Sequence, residues 1–228
     1  NYSYIIVNEK NQIACVVDPS EAQPIINFVE EKKINLKYIL NTHHHYDHIG
    51  GNLELKKKYN SKIVGFKNDK NRIPGISEFV EDKQIWEGDD FEAKIFHVPG
   101  HTSGHIAYHF YKEKIIFTGD TLFSLGCGRI FEGTYEEMFS SLNQIKKLPK
   151  DTKIYCGHEY TLENSKFCLA HDPHNLKLKE KILEIKNKLK NNLPTLPSTL
   201  NDEFNCNIFL KAKDVKSFSK LRDLKDNF

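Results

Sequence analysis

Seven residues, Thr42 to His48 (T-H-H-H-Y-D-H), constrain this chain more than any other stretch. His43, His45, Asp47 and His48 all carry atoms that bind a borderline-soft divalent metal such as zinc or iron. The run before them, Leu36 to Asn41, is apolar and β-prone, and Ile49-Gly50-Gly51 leads on into a helical pattern. The donors therefore sit on a strand-to-helix connection, at the kind of sheet end where α/β proteins form their sites. An isolated H-x-H would say little. H-x-H-x-D-H in this setting calls for further ligands downstream.

Three such residues follow. His101 lies in P-G-H-T-S-G-H (Pro99–His105), Asp120 in F-T-G-D-T (Phe117–Thr121), and His158 in C-G-H-E-Y (Cys156–Tyr160). Each comes just after an apolar, strand-like run. Five histidines and two aspartates are more than one tetrahedral ion needs, whereas two ions sharing a bridging carboxylate match that number.

The rest of the chain has two textures. Strand-like runs, β-branched or aromatic and bounded by turn residues, occur at Tyr4–Val7, Ile13–Val17, Tyr38–Asn41, Lys62–Phe66, Ala93–Val98, Ile106–Phe110, Ile115–Thr118 and Lys153–Cys156. Helical patterns lie between them at Glu21–Lys32, Leu53–Tyr59 and Tyr135–Lys147, the last opened by a capping box of Thr134 and Glu137. Beyond His158 only helical spacing remains, over Leu162–Ala170, His174–Lys190 and Asp214–Leu224. This predicts a mixed α/β catalytic domain over residues 1–161 and a small α-helical domain over 162–228. The lysine-rich stretch Lys177–Lys190 reads as a solvated helix face.

Composition excludes several classes. A net charge of +2 offers no basic stripe for nucleic acid, and no apolar run approaches the roughly 20 residues that span a bilayer. The five cysteines are odd in number and form no C-x-x-C pair, which argues for buried thiols in a reducing compartment, the cytoplasm. A chain that begins Asn-Tyr-Ser-Tyr leaves room for an upstream targeting segment, so an organelle stays open. Arginine occurs only at positions 72, 129 and 222, which makes those three positions worth following.

Taken together, the motifs resemble those of metallo-β-lactamase-fold hydrolases, and within them glyoxalase II (hydroxyacylglutathione hydrolase). The similarity runs through V-V-D-P at Val16–Pro19, T-H-H-H-Y-D-H-I-G-G-N at Thr42–Asn52, P-G-H-T-S-G-H at Pro99–His105 and T-G-D-T-L-F at Thr118–Phe123. It continues in C-G-R-I-F-E-G-T at Cys127–Thr134, C-G-H-E-Y-T at Cys156–Thr161, P-S-T-L at Pro197–Leu200 and R-D-L-K at Arg222–Lys225. The metal motifs identify the superfamily. The Cys127–Thr134 segment and the C-terminal Arg/Lys pair point to glyoxalase II.

The resemblance implies an α/β fold, the metallo-β-lactamase-type αββα sandwich, with a small C-terminal α-helical domain that binds glutathione. It implies two divalent ions per chain, zinc by default and iron also suited, held by His43, His45 and His101 on one side and Asp47, His48 and His158 on the other. Asp120 would bridge them. A hydroxide shared by the ions would attack a thioester carbonyl, oriented by Asp47. The reaction implied converts S-D-lactoylglutathione to D-lactate and glutathione, in methylglyoxal detoxification. Arg129, Tyr160, Arg222 and Lys225 fall at positions that grip the glutathione moiety in this family, where bidentate arginine suits a carboxylate. Phe131 stands where many relatives carry tyrosine, which removes one hydroxyl contact.

Plainer roles compete at some positions. His105 reads as a supporting histidine, His44 as pointing away from the ions, and Asp18 either as an orienting partner of a ligand or as a turn cap. Arg222 and Lys225 could belong to an ordinary solvated helix. The competing function is a mononuclear-iron persulfide dioxygenase acting on glutathione persulfide, which would hold one metal per chain.

Overall fold

The computed structural model describes residues 1–228. The chain packs as two compact units, one of Asn1–His97 with Gly104–Glu113, the other of Val98–Ser103 with Lys114–Phe228. The sequence boundary expected near residue 161 thus falls inside the second unit. No helix is long and apolar enough to cross a membrane.

The first unit is built on a five-stranded sheet in the order β1 (Tyr4–Asn8), β2 (Ile13–Val17), β3 (Asn35–Leu40), β4 (Lys62–Phe66), β5 (Glu78–Val80). The β1–β2 pair is antiparallel, while β2 to β5 run parallel. Parallel neighbours need crossovers, and the helices α1 (Ala22–Lys32) and α3 (Asn52–Tyr59) supply two of them. Between β3 and α3 lies a four-residue helix, α2 (Tyr46–Ile49), within the histidine motif. Helix α1 presents Ala22, Ile25, Ile26 and Val29 at i, i+3, i+4, i+7 spacing; they join Val16, Leu36, Ile39, Leu55 and Ile63 in one buried cluster.

An antiparallel meander follows, β6 (Ile85–Gly88), β7 (Phe91–His97) and β8 (Ile106–Phe110). It packs on the first sheet through two fully buried aromatics. Trp86 Nε1 donates to Glu78 at 2.7 Å, and the Tyr108 hydroxyl reaches the carbonyls of Asn41 (3.1 Å) and Val64 (3.2 Å). A buried Tyr or Trp needs such a partner for its polar end.

In the second unit, β9 (Ile115–Gly119) runs parallel to β12 (Lys153–Cys156), which pairs antiparallel with the two-residue β13 (Ser198–Thr199). A short hairpin of β10 (Leu122–Phe123) and β11 (Gly126–Cys127) leaves the end of β9. Helix α4 (Tyr135–Ile145) starts at the expected capping box, with Thr134 and Glu137 satisfying each other's backbone N–H groups. The remaining helices are α5 (Thr161–His171), α6 (Leu176–Lys190), α7 (Leu200–Cys206), α8 (Ile208–Lys211) and α9 (Val215–Asp226). Their core is aromatic: Phe209 lies 5.8 Å from Phe167 and 6.0 Å from Phe218, ring centre to ring centre.

Two expectations need correction. A strand does occur after His158, because β13 is formed by two residues whose only signal is an edge pairing to Lys153 and Ile154. Helices α7 and α8 also occupy a stretch without sustained helical periodicity. They begin at caps instead, where Thr199 accepts from Asp202 N and Asn207 from Phe209 N. The cysteines are all unpaired and buried, as expected.

Candidate metal centre

Each donor stands at the C-terminal end of a strand, where the backbone leaves the sheet. In the first unit, Val17 of β2 pairs with Leu40 of β3, so Asp18 and Thr42 emerge as neighbours. Asp18 is a non-glycine residue in the left-handed region (φ 49°), and this turn aims its carboxylate under the histidine motif. The buried carboxylate accepts from Thr42 N at 2.8 Å, from Thr42 Oγ1 at 2.6 Å, and from His48 Nδ1 at 2.9 Å. Of the two roles open to Asp18, the structure shows orientation of the motif.

These bonds determine tautomers. A carboxylate only accepts, so His48 carries a proton on Nδ1, and the neutral ring has its lone pair on Nε2. The Thr42 hydroxyl donates to Asp18, so it accepts from His43 Nδ1 (3.0 Å), and the lone pair of His43 is likewise on Nε2. His43, His45 and His48 gather closely, with the His43 ring 4.7 Å from His45 and 4.1 Å from His48. Asp47 Oδ2 lies 3.7 Å from His48 Nε2. His105 stacks on His43 at 4.6 Å, a supporting position. His44 turns toward buried Asp69, which Arg72 also engages.

In the second unit, β9 and β12 pair at Gly119 and Cys156, and Gly157 N donates to Gly119 O at 2.9 Å. Asp120 and His158 therefore leave adjacent strand ends. Asp120 Oδ2 lies 3.3 Å from His158 Nε2 and 3.6 Å from His101 Nε2. Both separations are long for a hydrogen bond. They match two ligands of one tetrahedral ion, which at about 2.1 Å from the metal stand about 3.4 Å apart. His101 Nδ1 donates to the Arg129 carbonyl at 2.8 Å, and a carbonyl can only accept, so Nε2 is again the nitrogen left available to a metal. The donor chemistry of both units thus fits a divalent metal.

The candidate substrate residues all lie in the second unit. Tyr160 is exposed and lies flat on the His158 ring, at 4.9 Å and 11°. Arg129 Nε is 3.5 Å from Asp226, to which Arg222 also binds at 2.8 Å. Arg222 is buried, and donates in addition to the Cys127 carbonyl at 2.8 Å. Lys225 is half-buried over the rings of Phe167 and Phe228. Burial, aided by the Arg222 charge, holds the Lys225 ammonium below its usual pKa. Two arginines share one carboxylate here and Lys225 has no carboxylate partner among the ion pairs, so the cluster suits an anionic ligand. Phe131 is exposed and edge-on to His101.

No cysteine has nucleophile character: burial pushes the Cys156 and Cys168 thiols up to about 12 and Cys127 and Cys206 to about 11. Residues with no motif signal also brace the segment that follows Asp120. Glu203, Asn207 and Asn164 hold the β10–β11 hairpin, and only their burial in the fold reveals them.

Comparison with known proteins agrees with this chemistry. Residues 1–158 match the metallo-beta-lactamase superfamily, and residues 159–228 match the hydroxyacylglutathione hydrolase C-terminus. The hydroxyacylglutathione hydrolase of Pelagibacter ubique (strain HTCC1062) is 63% identical over all of this chain and 95% of its own length. That of Prochlorococcus marinus (strain MIT 9301) is 46% identical, covering 99% of this chain and 92% of its own. Among solved structures, ETHE1 from Myxococcus xanthus has a TM-score of 0.74 at 22% identity, over 97% of this chain and 84% of that one. The BLEG-1 B3 metallo-beta-lactamase gives 0.71 at 21%, over 92% and 94%. These two establish the metallo-β-lactamase fold, here with a helical C-terminal region. Superfamily and donor set together indicate a dinuclear divalent metal site. The chain belongs to the hydroxyacylglutathione hydrolase family of the metallo-β-lactamase superfamily.

Proposed function

We propose that this protein hydrolyses S-D-lactoylglutathione and related 2-hydroxyacylglutathiones to the free 2-hydroxy acid and glutathione, in methylglyoxal detoxification. The observation that carries this reading is the full-length identity to hydroxyacylglutathione hydrolases, which includes the C-terminal segment bearing Arg222 and Lys225. The persulfide dioxygenase alternative has less support, since the relatives similar in sequence carry the hydrolase name and the likeness to ETHE1 is one of fold.

His43, His45 and His101 are assigned to one ion and Asp47, His48 and His158 to the other, with Asp120 between them; zinc is the first candidate and iron the second. When bound, such a pair lowers the pKa of water toward about 7 and polarises the thioester carbonyl. Asp18, Thr42 and the Arg129 carbonyl hold three of the imidazoles as Nδ1–H tautomers, so each presents a basic Nε2. Asp47, exposed beside His48, would orient a water molecule. Arg129 and Lys225 would meet glutathione carboxylates, Arg222 would add its charge from a buried position, and Tyr160 would offer its hydroxyl beside His158. The functional division of the chain is assigned near residue 161, with residues 162–228 serving glutathione recognition. The compartment assigned is the cytoplasm.

The test is metal analysis paired with the loss of thioester absorbance. About two ions per chain with turnover of S-D-lactoylglutathione supports the assignment, and a chelator should abolish turnover until zinc is returned. Full loading without thioester turnover sinks it. One iron per chain with oxygen uptake on glutathione persulfide establishes the alternative.

A further inference from the structure

The hairpin β10–β11 is short, yet side chains from the C-terminal helical region hold every residue from Ser124 to Cys127. Asn164 of α5 donates to the Ser124 carbonyl at 3.0 Å, and the Cys168 thiol donates to the Leu125 carbonyl at 3.2 Å. Glu203 of α7 accepts from Leu125 N at 2.9 Å. Asn207, at the start of α8, donates to the Gly126 carbonyl at 3.1 Å and to Glu203 at 2.9 Å. Arg222 of α9 donates to the Cys127 carbonyl at 2.8 Å. Leu125 sits at the centre, fully buried and in the left-handed region at φ 59°. An apolar residue in that conformation costs about 1–2 kcal/mol and persists only where its surroundings over-determine it.

The held segment leads directly to two proposed ligands. The chain leaves Asp120, passes through the hairpin and returns beside it, because Gly128 N donates to Thr121 O at 3.2 Å. A Cβ at Gly128 would stand 1.9 Å from the Asp120 carbonyl oxygen, so the backbone passes against Asp120 at a distance only glycine allows. The next residue, Arg129, supplies the carbonyl that orients His101. Phe131 N donates to His101 O, Gly133 N to Gly100 O, and Glu132 accepts from Ser103 N and Oγ. Any displacement of the hairpin therefore moves the carbonyl that selects the His101 tautomer and the Gly128 backbone lying against Asp120.

We propose that Glu203 is a positioning residue for the metal centre: with Asn207 it locks the β10–β11 hairpin, and through Gly128 and Arg129 it sets Asp120 and His101. The C-terminal helices then serve metal retention as well as substrate recognition. This inference rests on the ligand roles of Asp120 and His101 assigned above.

The test compares Glu203→Leu, which removes the acceptor of Leu125 N and Asn207, with Glu203→Gln, which can present a carbonyl oxygen to both. Zinc is loaded, and its release to a competing chelator is followed alongside kcat, KM and amide hydrogen exchange over residues 122–129. Glu203→Leu should release zinc at least ~10-fold faster, the scale typical of lost ligand support. It should also lose protection across the hairpin and lower kcat more than it raises KM. Glu203→Gln should restore zinc retention to within about twofold of wild type, on the same scale. Wild-type zinc retention in Glu203→Leu, with only KM raised, overturns the proposal and leaves the helices a substrate platform alone. If Glu203→Leu does not fold, Asn164→Ala is read instead: faster zinc release supports the proposal, and unchanged release overturns it. A wild-type protein that takes up no zinc refutes the metal assignment itself, a different result from two ions held equally well by wild type and variant.

Discussion

Glu203 also offers the sharpest thermodynamic prediction. It is fully buried, and loss of hydration raises its carboxyl from 4.5 to about 7, more than the bonds from Asn207 and Leu125 N pull it down. Its second oxygen, Oε1, has no hydrogen bond of proper geometry, and Ser198 lies close enough only to favour the ionised form slightly. Between pH 4.5 and about 7 the unfolded chain releases this proton while the folded chain keeps it, so stability falls as pH rises through that window. The contribution is fully present below 4.5, is lost by about 7, and changes no further at higher pH. A shift from 4.5 to about 7, at about 1.4 kcal/mol per unit, amounts to about 3 kcal/mol. Glu203→Gln keeps an acceptor for Leu125 N and never ionises. Its stability relative to wild type should therefore rise by about 3 kcal/mol from about pH 4.5 to about pH 8. Urea unfolding of both proteins, prepared identically, across that range measures the difference, because every other group is common to the two. Parallel stability curves would refute the reasoning, since they would mean that the folded carboxyl ionises where the unfolded one does.

Four further variants have expected outcomes. Asp18→Asn should weaken zinc binding about 10–100-fold, read by competition with a chelator, because His48 loses its charged acceptor while the fold keeps a side chain of the same size. Lys225→Ala should raise KM for the thioester with kcat nearly unchanged, as for a group that grips a remote part of the substrate, whereas Arg222→Ala should in addition cost about 1.5–3 kcal/mol in urea unfolding because it leaves the buried Cys127 carbonyl without its donor. A fall in kcat alone for Lys225→Ala would move it toward the chemistry. Phe218→Ala should destabilise by about 3–5 kcal/mol, since the ring is fully buried against Phe139 and Phe209; a loss below about 1 kcal/mol would mean that the helical core closes over the gap.

The histidine motif, its downstream partners, the strands carrying them and the α4 capping box were all legible as local patterns. Metal donors must follow strand ends at short range, and alternation or capping acts over a few residues, so each leaves a mark in consecutive letters. Strand β13 and helices α7 and α8 left weak marks, because an edge pairing or a lone cap carries no periodicity.

The sequence by itself determined which atoms can bind metal, which family's chemistry they resemble, and that the chain ends in helices. Tertiary structure alone decided the tautomers, the burial of Arg222 against Cys127, and the partners of Glu203. Those depend on which acceptor stands opposite each donor: Asp18 and His48 are 30 residues apart, Glu203 and Leu125 are 78, and Arg222 and Cys127 are 95. Hydrogen-bond direction and burial are properties of such pairs, and no single stretch of sequence contains both partners.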